Sequence, residues 1–224
     1  MLPNRLTRID DLYRGDHSYL EKGDRCYFFG EYFTGKGFEG GFTNDLILNL
    51  KIEPSAIRKN PKRRFYKEKA IQTVAAGLRR AFSRSEAEAL TWVPIPPSKA
   101  KGHPDYDDRL ERVLNTAFAE YDADVRLLLR QTESTEADHH ADETRLPPDR
   151  LTAILEVDEA ALASEPIRPS GIVLFDDVLT TGKHFKCCER RIRQVVGVPI
   201  IGVFVARRVI PNPLGDFDLD DFDF

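Results

Sequence analysis

The chain has 224 residues, 41% of them hydrophobic and 31% charged, which excludes a disorder-dominated protein and allows one large domain or one domain with an attachment. A formal net charge of −4 gives no global signature of a nucleic-acid binder, although local basic patches remain open. Cys26 and the adjacent Cys187 and Cys188 form neither a C-x-x-C metal pair nor an even disulfide framework, so reduced thiols in a cytoplasm fit best.

The N-terminus, MLPNRLTRIDDLYRGDHSYLEKGD, lacks the apolar core of a signal peptide, and no stretch approaches the ~20 apolar residues that cross a bilayer. The expectation is a cytoplasmic chain without a membrane span. Residues 1–60 are turn-rich and aromatic. CYFFGEYF and DLILNLKI, separated by glycines at 35, 37, 40 and 41, suggest short antiparallel strands in an accessory β-containing segment. From Phe65 the period changes, because Ile71, Val74, Leu78 and Phe82 mark one face of an amphipathic helix. ALTWVPIP (89–96) reads as a buried strand stopped by prolines, and residues 107–121 repeat helical spacing through Leu110, Val113, Leu114, Ala117 and Phe118. VRLLLRQ (125–131) is a second short apolar run. The polar, acidic stretch that follows predicts a long mobile loop, and DRLTAILEVDEAALAS one more helix. GIVLFDD is a strand, KHFKCCERRIRQVVG a helix with Phe185, Cys188, Ile192 and Val195 on one face, and VPIIGVFVARR a further buried strand. Strands alternating with helices in this way predict an α/β fold, a mostly parallel twisted sheet with right-handed crossovers, flanked by helices.

The chemistry concentrates in GIVLFDDVLTTGKHF, residues 171–185. In an open α/β sheet ligands bind beyond the carboxyl ends of the strands, where Asp176 and Asp177 are expected. VLTTG then makes a tight turn into a helix whose first N–H groups and dipole favour a phosphate. Thr180 and Thr181 add hydroxyls, Gly182 permits close backbone approach, and two carboxylates beside a phosphate suit sugar hydroxyls or a hydrated Mg²⁺. A Walker loop is excluded, because the position five residues before Gly182 is Asp177 and Lys183 is followed by His184. The plainer reading is that the aspartates only cap the helix, but one cap does not require two carboxylates, two threonines and a glycine in sequence.

IVLFDDVLTTGKHF closely resembles the phosphoribosyl pyrophosphate (PRPP) signature of type I phosphoribosyltransferases. WVPIPPSKAKG resembles the strand and loop that hold pyrophosphate in that family, with Ser98 and Lys99 at its tip. RLERVL, and LLLRQT followed by a long loop, resemble the ComF-like branch with its flexible hood. The likeness covers roughly residues 62–208. It implies a phosphoribosyltransferase domain over 61–210 with its hood at about 131–150, an accessory segment at 1–60 and a tail at 211–224. By resemblance Asp176 and Asp177 contact the ribose hydroxyls, and hold Mg²⁺ partly through water. Val178, Leu179, Thr180, Thr181, Gly182 and Lys183 wrap the 5′-phosphate, while Ser98 and Lys99 hold pyrophosphate. The implied activity is Mg²⁺-dependent displacement of pyrophosphate at the ribose C1 by an unknown acceptor, with Asp176, Asp177 and Lys99 as the catalytic set and Arg109 or Arg130 as further cations. The alternative is a non-catalytic protein of this fold that senses PRPP or a nucleotide, or acts in DNA uptake, processing or defence. Three departures bear on this. The chain lacks the N-terminal cysteine-rich zinc segment of ComF-like proteins, Thr135 stands where their hood carries glutamine, and Thr180 stands where purine-salvage members place an aspartate.

Weaker signals remain. No general base is evident. His139 and His140 in the hood read as solvated residues rather than metal ligands, since adjacent histidines lack helical ligand spacing. His184 reads equally as a phosphate contact or a solvent-facing first-turn residue, and Cys187 and Cys188 as core residues rather than nucleophiles. RKNPKRRFYKEK (58–69) holds seven basic residues around Phe65 and Tyr66, as a groove for single-stranded nucleic acid would, or as a solvated helix start. LGDFDLDDFDF, with five aspartates and three phenylalanines, is either a frayed end or a docking tail for a protein partner, including the basic stretch of its own or a second subunit in a homo-oligomer.

Overall fold

The computed structural model describes residues 1–135 and 146–210. The strands are β1 (Thr7–Arg8), β2 (Cys26–Phe33), β3 (Thr91–Pro94), β4 (Asp124–Val125), β5 (Leu129–Gln131), β6 (Leu155–Val157), β7 (Ile172–Leu179) and β8 (Ile200–Val209). Between them lie α1 (Asp11–Arg14), α2 (Phe42–Leu50), α3 (Pro54–Lys59), α4 (Arg63–Ala81), α5 (Arg84–Glu88), α6 (Arg109–Ala117), α7 (Pro148–Ala153), α8 (Glu159–Ser164) and α9 (Lys183–Arg193).

Ile172 to Phe175 are apolar on both sides of the backbone, and such a run is stable as a strand only when both its faces are covered. The period of two sends Val173 and Phe175 into one apolar cluster with residues of α2, α4 and α6, and Ile172 and Leu174 into a second with residues of α7 and α9. The six-stranded sheet between these layers has the order β1-β2-β8-β7-β3-β4. Apart from the antiparallel β1–β2 pair its neighbours are parallel. The α/β class and the mostly parallel, helix-flanked sheet are therefore as the alternating pattern predicts. No helix among the described residues is long and apolar enough to cross a membrane.

Several elements differ from the sequence reading. The first 60 residues do not form a set of short antiparallel strands. CYFFGEYF is β2, which lies parallel to β8 from Cys26–Gly202 to Phe33–Val209 inside the main sheet. DLILNLKI lies largely in α2, where Leu46, Ile47 and Leu50 recur at helical spacing and are buried. VRLLLRQ is two strands in different sheets. β4 extends the main sheet, and β5 pairs with β6 in a separate antiparallel ribbon. Residues 149–164 hold α7, β6 and α8 rather than one helix. Val195, assigned to the inner face after Phe185, is 49% exposed because α9 ends at Arg193.

Phe28 is 4% exposed and meets Tyr13 edge to face at 5.6 Å within the cluster that contains Leu174 and Phe204. Because this side chain from the first 60 residues is part of the common core, Phe28→Ala should cost about 3–5 kcal/mol. A single urea transition, shifted but not split, is expected; two transitions would mean that the N-terminal segment folds apart.

Candidate functional site

From β3 the chain passes through α6 to β4 on one side, and from β7 it passes through α9 to β8 on the other. The winding direction reverses between β3 and β7, which are paired from Thr91–Ile172 to Pro94–Phe175. The carboxyl ends of those two strands border the crevice where an open α/β sheet binds its ligand. The two motifs singled out by sequence lie there side by side: Ser98 and Lys99 in the loop after β3, and Asp176 to Lys183 at the end of β7.

The strand does not stop at the aspartates. β7 continues through Val178 and Leu179, whose side chains are buried, so only their backbone is available to a ligand. The turn is Thr180, Thr181 and Gly182. Gly182 is the N-cap of α9 at φ 83°, a left-handed conformation that favours glycine, and a Cβ there would stand 2.8 Å from Leu20 Cδ2. Neither aspartate caps α9, whose N-cap has no side-chain hydrogen bond.

The two carboxylates are inequivalent. Asp177 is 3% exposed and accepts hydrogen bonds from Arg109 Nε at 2.9 Å and from a terminal nitrogen of the same guanidinium, with Lys51 Nζ 3.6 Å away. Burial alone would raise its pKa, but Lys51 and Arg109 outweigh burial and hold it well below the usual carboxylate range. Asp176 is half-buried and accepts from Asp177 N–H at 2.7 Å. Burial, then the neighbouring Asp177 charge, push its pKa up to about 7. Behind Arg109 the charges continue inward. Its second terminal nitrogen lies 3.0 Å from Asp107 Oδ2, and Asp107 receives buried Lys67 Nζ at 2.7 Å, which also donates to Ile52 O. Burial pulls the Lys67 pKa down against the opposing pull of Asp107.

The outer face of the turn is held by the N-terminal segment. His17, fully buried, contacts Thr180 O through Nδ1, and Tyr19 N–H donates to Thr181 O at 2.9 Å. An acceptor carbonyl requires the proton on Nδ1, and burial lowers the His17 pKa, which favours the neutral ring. With those carbonyls engaged behind, the N–H groups of Thr181 and Gly182 have no carbonyl partner among the described residues. The Lys183 N–H faces Thr181 Oγ1 at 3.4 Å.

The two lysines predicted for phosphate contacts hold other partners. Lys99 Nζ donates to Thr135 O at 2.9 Å, and the buried Lys183 Nζ to Leu146 O at 3.0 Å. These carbonyls flank segment 136–145 on either side. Gln131 Nε2 donates to Ser98 O at 2.8 Å, which ties the end of β5 to the loop after β3 four residues before Thr135. Arg130 is committed outward to Glu156. A cavity of about 140 Å³ opens among Pro96, Lys99, Tyr106, Arg109 and Gln131. A larger groove of about 520 Å³ lies at the opposite end of the sheet, by Pro199 and Ile200, but its Lys186 is already held by Glu21, Asp24 and Glu189.

His139 and His140, and the acidic tail, lie outside the described residues. Among those described, no three His, Cys, Asp or Glu side chains converge as a metal site. The three cysteines are buried free thiols with pKa values raised by burial, as unreactive core residues have. Sequence reasoning missed Lys51, His17 and the Lys67–Asp107 pair. Lys51 lay in a stretch read as strand, and His17 carries no local motif. The acidic pair Asp107–Asp108 before Arg109 was a visible signal of a charged helix start. A scan against protein-family models finds no match for the chain, and a search of the curated proteins finds no relative.

Asp176 provides a check on these electrostatics. The folded protein holds its proton to about pH 7, whereas the unfolded carboxyl releases it near pH ~4, so stability should fall as pH rises through that interval. Asp176→Asn removes this penalty. Relative to wild type, it should gain about 1–3 kcal/mol more at pH 8 than at pH 5 in urea denaturation. An equal gain at both pH values would show that Asp176 titrates as an ordinary carboxyl.

Proposed function

We propose that the protein is a type I phosphoribosyltransferase of the ComF-like kind, which binds PRPP across the β3–β7 crevice and displaces pyrophosphate from the ribose C1. The observation that carries this reading is the pairing of β3 with β7, which sets the PIPPSK loop beside the DDVLTTGK turn at the point where the sheet reverses its winding. The 5′-phosphate sits in the turn, against the Thr181 and Gly182 N–H groups and the start of α9. Asp176, ionised above about pH 7 and open on one side, accepts from the ribose hydroxyls. Asp177 holds Arg109 at the crevice, and Arg109 with Lys99 borders the 140 Å³ cavity where the pyrophosphate has two cations within reach.

A hydrated Mg²⁺ fits a site of this kind, because that ion keeps several waters and needs only one or two carboxylates besides substrate phosphates. Asp176 is the residue that would hold it, Asp177 being occupied by Arg109 and Lys51. When bound, the ion would neutralise charge on the phosphates. In the displacement the bond from C1 to the pyrophosphate oxygen breaks, its electron pair leaves with pyrophosphate, and a lone pair on the acceptor forms the new bond to C1. Lys99 and Arg109 stabilise the charge that develops on the leaving group.

A second reading, a PRPP or nucleotide sensor without transfer, is favoured by the residue at 180: purine-salvage enzymes place an acid there, and the Thr180 hydroxyl does not serve as a general base. Calorimetric titration of PRPP with Mg²⁺, run beside Asp176→Asn and with released pyrophosphate assayed, separates the cases. The expected outcome is binding that tightens as pH rises from 6 to 8 and weakens at least tenfold in Asp176→Asn. Pyrophosphate release then marks the enzyme, and binding without release marks the sensor. No PRPP binding at any pH would overturn both.

A further inference from the structure

The charged stretch 58–69 splits into two parts. Lys67 is buried against Asp107, and Arg58 is paired with Asp105. Lys59, Lys62, Arg63, Arg64 and Lys69 remain exposed, and none of these five enters an ion pair among the described residues. Between them Phe65 and Tyr66 are 66% and 53% exposed and meet edge to face at 5.5 Å. Two adjacent aromatic rings in water, ringed by unopposed positive charge, suit an occupant that is both anionic and aromatic.

Residues 214–224, LGDFDLDDFDF, have that composition, with five aspartates and three phenylalanines. They are also within reach. The described chain stops at Ile210, next to Val209 O, which accepts from Thr34 N. Phe33 is held by Asn44 in α2, and α2 leads to Ile52 O, the acceptor of Lys67 Nζ in the second turn of α4. That path, about eight residues of helix, one helix turn and the reach of a lysine, is on the order of 25–30 Å. Residues 211–224 span roughly 45 Å when extended.

We propose that the start of α4 is a docking surface for an acidic, phenylalanine-bearing peptide and that its resident occupant is the chain's own segment 211–224. The aspartates lie against Lys59, Lys62, Arg63, Arg64 and Lys69, and the phenylalanine rings cover Phe65 and Tyr66. Tethering makes the encounter intramolecular, so modest contacts suffice for high occupancy.

The native thiols are buried, so a nitroxide attached at Asp220→Cys of the full chain reports on the tail alone. In amide NMR spectra, residues 59–69 should lose more than half their signal relative to the reduced label. The loss should be independent of protein concentration and reversed by 0.5 M NaCl or by the surface variant R63E/R64E/F65A/Y66A. Those four side chains are exposed, and the same spectra verify that the variant folds. Absence of broadening at 59–69 would overturn the proposal. So would broadening that fades on dilution, which would give the surface to a second copy. Salt-sensitive binding of a labelled oligo(dT) at these residues, undiminished by the tail, would also overturn it and assign the surface to single-stranded nucleic acid.

Discussion

The Asp177 carboxylate joins three separate parts of the chain: β7 supplies it, α6 answers with Arg109, and the end of α2 adds Lys51. A charge this deeply buried persists only with close partners, and removing one partner of such a pair typically costs about 3–5 kcal/mol. Arg109 in turn needs Asp107, and Asp107 needs Lys67. The alternation of sign from Asp177 to Lys67 extends beneath the crevice and fixes how α6, α4 and the end of α2 meet the sheet. Because Asp177 is consumed by this chain of charges, it is a support, and Asp176 is the carboxylate left half-exposed beside it. Two adjacent acids in the sequence therefore do different work, and their opposite pKa displacements follow from that division.

The segment before β2 matters in the same way. A turn that presents N–H groups to a ligand must place its carbonyls somewhere, and buried carbonyls left unpaired are costly. His17 and Tyr19 take the carbonyls of Thr180 and Thr181, while Leu20 packs against Gly182. Arg207 ties the same segment down through Asp16 and stacks 4.3 Å over the Tyr13 ring. The first 60 residues thus contribute β2 to the sheet and a wall to the turn.

What the sequence made legible was governed by local period and by dense motifs. The parallel α/β sheet was readable because apolar runs such as Ile172–Phe175 and Val203–Ala206 alternate with helical spacing. The turn at Thr180–Gly182 was readable because hydroxyls, glycine and acids are consecutive. α2 was misread because glycines before it mimic hairpin turns, and its three buried aliphatics fit either period over so short a span. The end of β7 was misplaced because a polar pair in an apolar run looks like a strand end, whereas partners 68 and 126 residues away in sequence, Arg109 and Lys51, let the strand continue past it. Such pairings leave no local trace.

The two lysines near the crevice also hold structure together. Lys99 and Lys183 each hold a backbone carbonyl, at Thr135 and Leu146, on either side of one segment. An ammonium bonded to a neutral carbonyl gains less than one bonded to a phosphate oxygen, since charge on both partners shortens and strengthens the bond. On the proposed reading, a phosphate brought to Lys99 would replace the Thr135 carbonyl with a charged and therefore stronger partner.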